Sequence, residues 1–210
     1  MTANINNAPP HAWEDVICWF EDYDREHPPR MGRVLFSGSS SIGMWPTLED
    51  DFRELDAFRR GFGGSQYEDV LYYAERIILP YRPRAVILYA GDNDIASGKT
   101  SAQICADVRA LLDHISGTLP DTRLYILSIK PSPSRFFLWP EYQRVNADLC
   151  ALAEAYPRCR YIDVTAGMLH TNGAVREEFF TEDMLHMNAD GYRAWVSIIK
   201  PILLADERAH

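Results

Sequence analysis

The sequence has no long apolar run, few cysteines and a shortage of basic residues, and each shortage excludes a class of protein. No stretch of the 210 residues approaches the length of a membrane-spanning helix. The first residues lack the basic start and apolar run of a secretory signal, so we expect a cytoplasmic protein without a membrane span. Acidic residues outnumber basic ones 30 to 21, and the formal net charge of -9 disfavours nucleic acid as a partner.

The four cysteines form no CxxC pair and have no histidine partner at zinc-finger spacing. We therefore predict free thiols and expect neither a metal nor a cofactor. Hydrophobic residues at 47% and charged residues at 24% are ordinary for a globular protein, and the length suits one domain over residues 1–210. The cysteines are Cys18, Cys105, Cys150 and Cys159.

Short apolar runs alternate with segments of helical periodicity, which predicts an α/β protein with a parallel sheet. A weak strand near 56–60, with the sequence DAFRR, is needed to complete the pattern. Asp190 is placed to cap the last helix, and Pro201 is expected to kink or end it. The predicted strands are 34–36, 85–89, 124–127 and 161–164, and the predicted helices are a packing helix at 12–25 and segments 67–79, 101–115, 141–156 and 190–204.

Candidate reactive groups follow successive strands of this predicted sheet. Ser40 follows the first strand, Gly64 the weak second strand and Asn93 the third, while Asp183 and His186 lie beyond the last. Because the carboxyl ends of parallel strands meet at one edge, where such sheets bind ligands, these groups are expected to converge.

An aspartate three residues before a histidine is a common spacing, and the chain contains it twice. The first pair, Asp24 and His27, precedes every strand and abuts Pro28, so we interpret it as a solvated helix end. The second, Asp183 and His186, is either a cap beside a surface histidine or a carboxylate that fixes the imidazole tautomer. In the second case the other ring nitrogen faces a serine hydroxyl.

The segment 37–41 has three consecutive serines directly after a strand. Gly38 allows a tight turn that exposes a following side chain, although a polar helix cap is the simpler interpretation. A serine needs a base to act as a nucleophile, and the histidine supplies one. Oxyanion donors could come from the turns at 61–65 and 91–94, through a glycine amide and the Asn93 amide, although turns with these residues are common.

At these residues the sequence resembles the SGNH hydrolases, also called the GDSL esterase/lipase family, over about 33–195. The family's Gly-Asp-Ser block aligns with residues 38–40, so that Ser40 is the nucleophile, and the glycine of its second block falls on Gly64. The Gly-x-Asn-Asp block falls on residues 91–94, and the Asp-x-x-His block falls on Asp183 and His186.

The resemblance implies a three-layer α/β/α sandwich with a flavodoxin-like parallel sheet. It also implies metal-free hydrolysis of esters or thioesters through an acyl-enzyme, with the Ser40 amide, the Gly64 amide and the Asn93 side chain as oxyanion donors. Ser39 stands where the family has aspartate, which leaves the triad intact, because Asp183 is the residue that supports the histidine. Ser41 remains an alternative nucleophile.

The segment 131–140 follows the fourth strand and should border the same crevice. Its aromatic residues either wall an acyl pocket or fill space between layers, and Arg135 either meets an anionic substrate or pairs with a surface acid. With little length for a lid, we expect a small ester with a short acyl or acetyl group as substrate. An acyltransferase and a catalytically silent carbohydrate- or lipid-binding module are the alternatives, and the oligomeric state is left open.

Overall fold

The computed structural model describes residues 12–209 and contains a five-stranded parallel sheet. The spatial order β2-β1-β3-β4-β5 is that of the flavodoxin-like fold. Residues 1–11 and residue 210 lie outside the described part. The expectation that the first residues are not a secretory signal therefore concerns residues that are mostly outside it. The strands are β1 Val34–Gly38, β2 Ala57–Gly61, β3 Ala85–Tyr89, β4 Arg123–Leu127 and β5 Cys159–Ile162.

Helices pack on both faces of the sheet, and the fold is the predicted three-layer α/β/α sandwich. The α-helices are α1 Glu14–Glu26, α2 Ser40–Gly43, α3 Leu48–Asp51, α4 Tyr67–Tyr72, α5 Ala74–Ile77, α6 Asp92–Ala96, α7 Ser101–Thr118, α8 Trp139–Glu154 and α9 Ala189–Arg208. Short 3-10 helices lie at Arg53–Leu55, Leu79–Tyr81, Pro133–Leu138, Thr165–Met168 and Glu177–Phe179.

The strands are buried on both sides, which explains why they form continuous apolar runs in the sequence. Leu35 and Val86 pack in a core beneath α1, α4, α5, α7 and α8, whereas Phe36 and Ile87 face a second core beneath α3 and α9. Trp195 of α9 is fully buried in that second core. In the part of the chain that the structure describes, no helix is both long and apolar enough to cross a membrane.

The weak second strand is present as β2, an edge strand paired in parallel with β1. Its arginines made it a poor strand signal, but Arg60 is buried against α1, where it pairs with Asp24 and donates to the Tyr81 hydroxyl at 2.8 Å. Asp24 is therefore a mostly buried ion-pair partner, and its interpretation as a solvated residue was wrong. His27 is exposed at the end of α1, as predicted.

Two predicted elements differ in extent. The helix predicted at 67–79 is divided into α4, α5 and a 3-10 turn, with the first break at Tyr73. Pro80 has no amide hydrogen with which to continue an α-helix, which accounts for the 3-10 turn at the end but not for the break at Tyr73. The last strand was predicted at 161–164, but β5 ends at Ile162. Asp163 Oδ1 accepts the Thr165 amide at 2.8 Å and turns the chain away from the sheet.

The final helix was wrong in two details. Asn188, not Asp190, is its N-cap, since the Asn188 side chain accepts the amides of residues 190 and 191 while Asp190 lies in the first turn and pairs with Arg193. Pro201 does not end the helix, which continues to Arg208. Ser197, four residues before Pro201, is an exposed residue, so the carbonyl that loses its helical donor is not one of the buried core.

We expect Gly38→Ala to destabilise the fold strongly. Gly38 has φ +140°, and a Cβ there would lie 1.8 Å from the Tyr89 carbonyl oxygen, so the central strands could not keep their spacing. Urea unfolding should show a loss of roughly 3 kcal/mol or more. The control is Gly117→Ala in the exposed part of α7, where a Cβ meets nothing within 4 Å and the helix should gain up to about 1 kcal/mol. Equal stability of the two variants would contradict this account of the turn.

Candidate active site

Ser40 is the first residue of α2 and follows a sharp turn at the end of β1. The turn forms because the Ser39 amide donates to the Tyr89 carbonyl at 2.9 Å, while Gly38 presses directly against the same peptide. Gly38 is in register with Gly61 of β2 and Tyr89 of β3. The three loops that follow these strands therefore begin at the same level of the sheet.

The structure brings Ser40, His186 and Asp183 together. His186 Nε2 lies 3.1 Å from Ser40 Oγ, and His186 Nδ1 lies 2.5 Å from Asp183 Oδ2. Since a carboxylate faces Nδ1, that nitrogen carries the proton, and Nε2 is left to accept the serine hydroxyl. Ser40 and His186, which are 146 positions apart in the sequence, thus belong to one chain of hydrogen bonds that runs from carboxylate to imidazole to hydroxyl.

The Asp183 carboxylate is held by its own loop. Its Oδ1 accepts the backbone amides of Leu185 and His186, both at 2.9 Å, and the Thr181 hydroxyl at 2.8 Å. Burial opposes ionisation, but the hydrogen bonds from His186 and its neighbours outweigh it and hold the pKa of Asp183 well below its ordinary value. The Asp183 carboxyl is therefore ionised at neutral pH.

Gly64 lies in the loop after β2, directly against the serine turn. A Cβ built on the neighbouring Gly63 would come within 3.9 Å of Ser40 Cβ, and Gly64 itself has φ +82°, a backbone conformation that favours glycine. Trp13, just before α1, donates its indole N–H to the Gly63 carbonyl at 2.7 Å. The N-terminal helix, predicted only to pack, therefore also holds this loop.

Asn93 lies in the first turn of α6, after β3. Its Nδ2 donates to the Ser65 carbonyl at 3.1 Å, and its Oδ1 accepts from Arg135 at 3.2 Å. The first of these bonds joins the third loop to the second, beside Gly64. All five residues predicted for the site thus lie in loops that contact one another at the carboxyl edge of the sheet.

The other polar residues of the motifs have different surroundings. Ser41 is only 5% exposed, whereas its neighbour Ser40 contacts His186. Ser39 is also buried and caps α2 without a side-chain hydrogen bond. Asp94 is fully buried and accepts the Tyr67 amide at 3.2 Å; burial raises the pKa of Asp94 to about 6, although Lys99 opposes the shift.

The segment 131–140 makes more polar contacts with the site, and places fewer aromatic side chains around it, than its sequence suggested. Phe136 and Trp139 are half-buried and stack on each other between layers, whereas Phe137 is 78% exposed. Arg135 pairs with an acid, as one of the two interpretations had it, but the acid is the buried Asp92, at 2.7 Å, next to Asn93.

Sequence reasoning missed several residues that support the site. Lys130 is buried and donates to the Leu185 carbonyl at 2.9 Å, and Thr181 and Trp13 make the contacts described above. The only signal for Lys130 in the sequence is a charge directly after an apolar strand run. All four cysteines are free thiols, as predicted, and within residues 12–209 no three His, Cys, Asp or Glu side chains cluster as metal ligands.

This chain belongs to the GDSL-like Lipase/Acylhydrolase family, whose sequence pattern matches residues 37–194. The match includes each of the five predicted site residues. It agrees with the flavodoxin-like sheet and with the loops that meet at its carboxyl edge.

The chain is similar to the platelet-activating factor acetylhydrolase IB subunit alpha1 of Pongo abelii. The two are 27% identical over 187 residues, which cover 83% of this chain and 78% of that protein. The fold of this chain is similar to that of a Streptococcus pneumonia protein named for platelet activating factor. The TM-score is 0.81 at 22% identity, and the match covers 90% of this chain and 92% of that chain. A GDSL-like lipase from Bacteroides thetaiotaomicron has a TM-score of 0.73 at 20% identity, covering 99% and 100%.

We expect Asp183→Asn to lower stability at pH 5 more than at pH 3. A carboxyl whose pKa is lower in the folded state stabilises the fold above its ordinary pKa of 3.8, and this contribution is lost as the pH falls towards the folded value. The check is the difference in urea midpoint between the variant and the unaltered protein at the two pH values. Asp121→Asn, at a side chain 98% exposed, is the control and should show no such change. A difference independent of pH would contradict the described hydrogen bonds to Asp183.

Proposed function

We propose that this protein is a serine esterase that hydrolyses carboxylic esters through an acyl-enzyme on Ser40. The observation that carries the proposal is the 3.1 Å contact between Ser40 Oγ and His186 Nε2, with Asp183 at the far side of the ring. An isolated hydroxyl is a poor nucleophile, and this contact gives it a base. Membership of an acylhydrolase family supports the same reaction class.

In the proposed reaction Ser40 Oγ attacks the ester carbonyl carbon while its proton moves to His186 Nε2. The tetrahedral intermediate collapses when the alcohol leaves with that proton, and the acyl group remains on Ser40. Water then attacks the acyl-enzyme, again giving a proton to His186, and the carboxylic acid leaves as the Ser40 hydroxyl regains its proton. Throughout, the Asp183 carboxylate stabilises the imidazolium that forms in each step.

The negative oxygen of the intermediate needs donors that are already in place. We assign this role to the amides of Ser40 and Gly64 and to the side chain of Asn93. The Asn93 nitrogen has two hydrogens, of which one is used on the Ser65 carbonyl and the other is available to the substrate. Ser39, which replaces the family's aspartate, is not required in this scheme because the carboxylate bonded to His186 belongs to Asp183.

We propose short acyl groups, acetyl above all, as the substrates. The catalytic loop is near the surface, with 50% of the Asp183 side chain exposed, so a long acyl chain would find little apolar cover there. A relative with 27% identity is named an acetylhydrolase, which is consistent with this preference. The acyl-enzyme would also serve an acyltransferase, in which an alcohol takes the place of water.

Ser40→Ala should fold normally and lose nearly all ester turnover, because the nucleophile is gone. Ser41→Ala is the matched control and should keep most of the activity. A fluorophosphonate probe followed by peptide mapping should label residue 40 in the unaltered protein and in the Ser41 variant, but not in the Ser40 variant. Labelling at Ser41 would move the nucleophile, and a protein that neither reacts nor hydrolyses any ester would be the silent binding module.

Turnover should fall as the acyl chain of the substrate lengthens. The check is kcat/KM on 4-nitrophenyl esters from acetate to dodecanoate, with acetate or propionate expected to be best. A rise in kcat/KM towards the long chains would contradict the proposed acyl preference while leaving the serine mechanism in place.

A further inference from the structure

A six-residue segment after β4, residues 130–135, contacts both halves of the proposed site. Lys130 and Ser134 bind the loop that contains Asp183 and His186, and Arg135 binds the loop that contains Asn93. We refer to residues 130–135 as the bracket segment. No substrate atom needs to touch it for it to affect the reaction.

On the histidine side, the bracket segment binds the carbonyls of the two residues that separate Asp183 from His186. Met184 has φ +56°, which is costly for a residue with a side chain, so the loop needs outside support to keep this shape. The Ser134 amide and hydroxyl both donate to the Met184 carbonyl, at 3.0 and 2.9 Å. Lys130 Nζ donates to the next carbonyl, of Leu185, at 2.9 Å.

Lys130 is an unusual residue to find at this place, because its side chain is only 1% exposed. A buried ammonium group costs free energy that an apolar side chain of similar size would not. Its neighbours are the Leu185 carbonyl and the ring of Phe180, whose centroid lies 5.3 Å from Nζ. The negative charges of Asp92 and Asp183 favour the charged form of the amine, whereas the positive charge of Arg135 opposes it. The contact with the catalytic loop is the one direct hydrogen bond that its ammonium makes in residues 12–209.

On the oxyanion side, Arg135 determines which end of the Asn93 amide is presented. The guanidinium donates to Asn93 Oδ1 at 3.2 Å and, from the same nitrogen, to the buried Asp92 carboxylate at 2.7 Å. Tyr142 donates to the same oxygen of Asp92, so the arginine is anchored. A rotated amide would place Oδ1 beside a developing negative charge, which would repel it.

We propose that Lys130 and Arg135 are positioning residues that set the His186 base and the Asn93 oxyanion donor relative to each other. This inference rests on the proposed function, since it assigns those two roles to His186 and Asn93. Misplacing a catalytic group by about 1 Å costs about 100-fold in rate, and substrate binding changes much less. The loss should therefore lie in kcat and not in KM.

The first test uses Lys130→Met, which keeps the length of the side chain and removes the hydrogen bond. With 4-nitrophenyl acetate, kcat should fall about 10- to 100-fold and KM should stay within a factor of two. The matched control is Lys200→Met, which removes an ion pair with Glu54 and should leave both constants unchanged. Unchanged kcat in Lys130→Met would overturn the proposal.

The second test is a double-mutant cycle of Arg135→Gln and Asn93→Ala. If Arg135 acts through Asn93, its replacement should cost about 10-fold or more in kcat alone but almost nothing when Asn93 is already alanine. Arg135→Lys, which keeps the charge beside Asp92, should restore part of the rate, and Arg158→Gln, at a half-exposed arginine, is the control. Additive losses would overturn the role given to Arg135, and this cycle decides the proposal if Lys130→Met does not fold.

A third measurement separates this inference from the proposed function. The imidazole N–H that is bonded to Asp183 should give a far-downfield proton resonance, whether or not the protein hydrolyses esters. Loss of that signal in Lys130→Met, with its retention in Lys200→Met, supports the positioning role of the bracket segment even if no ester is turned over. Retention of the signal in both variants would overturn that role, whereas absent turnover in the unaltered protein bears only on the proposed function.

Discussion

The contact between Gly38 and the Tyr89 peptide is the constraint on which the rest of the site depends. Only glycine lets the last residue of β1 approach β3 so closely, since a Cβ on Gly38 would overlap the Tyr89 carbonyl oxygen. The same carbonyl accepts the Ser39 amide, so the chain must turn there and α2 must begin at Ser40. A residue that terminates a strand thus also places the hydroxyl group on the edge of the sheet.

This placement matters because the histidine loop is fixed from a different direction. The segment after β5 reaches the serine through a chain with two short 3-10 helices. The shape of the loop at its end is maintained by hydrogen bonds to Asp183, Met184 and Leu185. A loop of this kind keeps one conformation only when several polar contacts hold it in place. The sheet therefore positions Ser40, and a network of hydrogen bonds positions His186.

Much of this arrangement could be predicted from the sequence because it depends on local patterns and on one topological rule. Apolar runs gave the strands, and the alignment of parallel strand ends predicted that Ser40, Gly64 and Asn93 would converge. The edge strand β2 was recognisable mainly by the need for it, since Arg60 is buried by partners that lie far along the chain, such as Asp24. Burial of that kind has no signature in a short window.

The details that were missed are those decided by competition between neighbours. Asn188 and Asp190 are both good capping residues, and only the geometry of the preceding chain selects Asn188. Pro201 is tolerated where Ser197, the residue whose carbonyl it leaves without a helical donor, is exposed. Lys130 is buried where its ammonium donates to the Leu185 carbonyl of a distant loop. The contact of Lys130 joins residues 55 positions apart, so periodicity and composition contain no trace of it.

The hydrogen bond from the Trp13 indole to the Gly63 carbonyl gives the molecule an intrinsic optical reporter. The indole ring lies against the loop whose next amide is assigned to the oxyanion, so any adjustment of that loop alters the polarity and hydrogen bonding of the fluorophore. Emission from Trp13 would then register events at the serine without an attached dye.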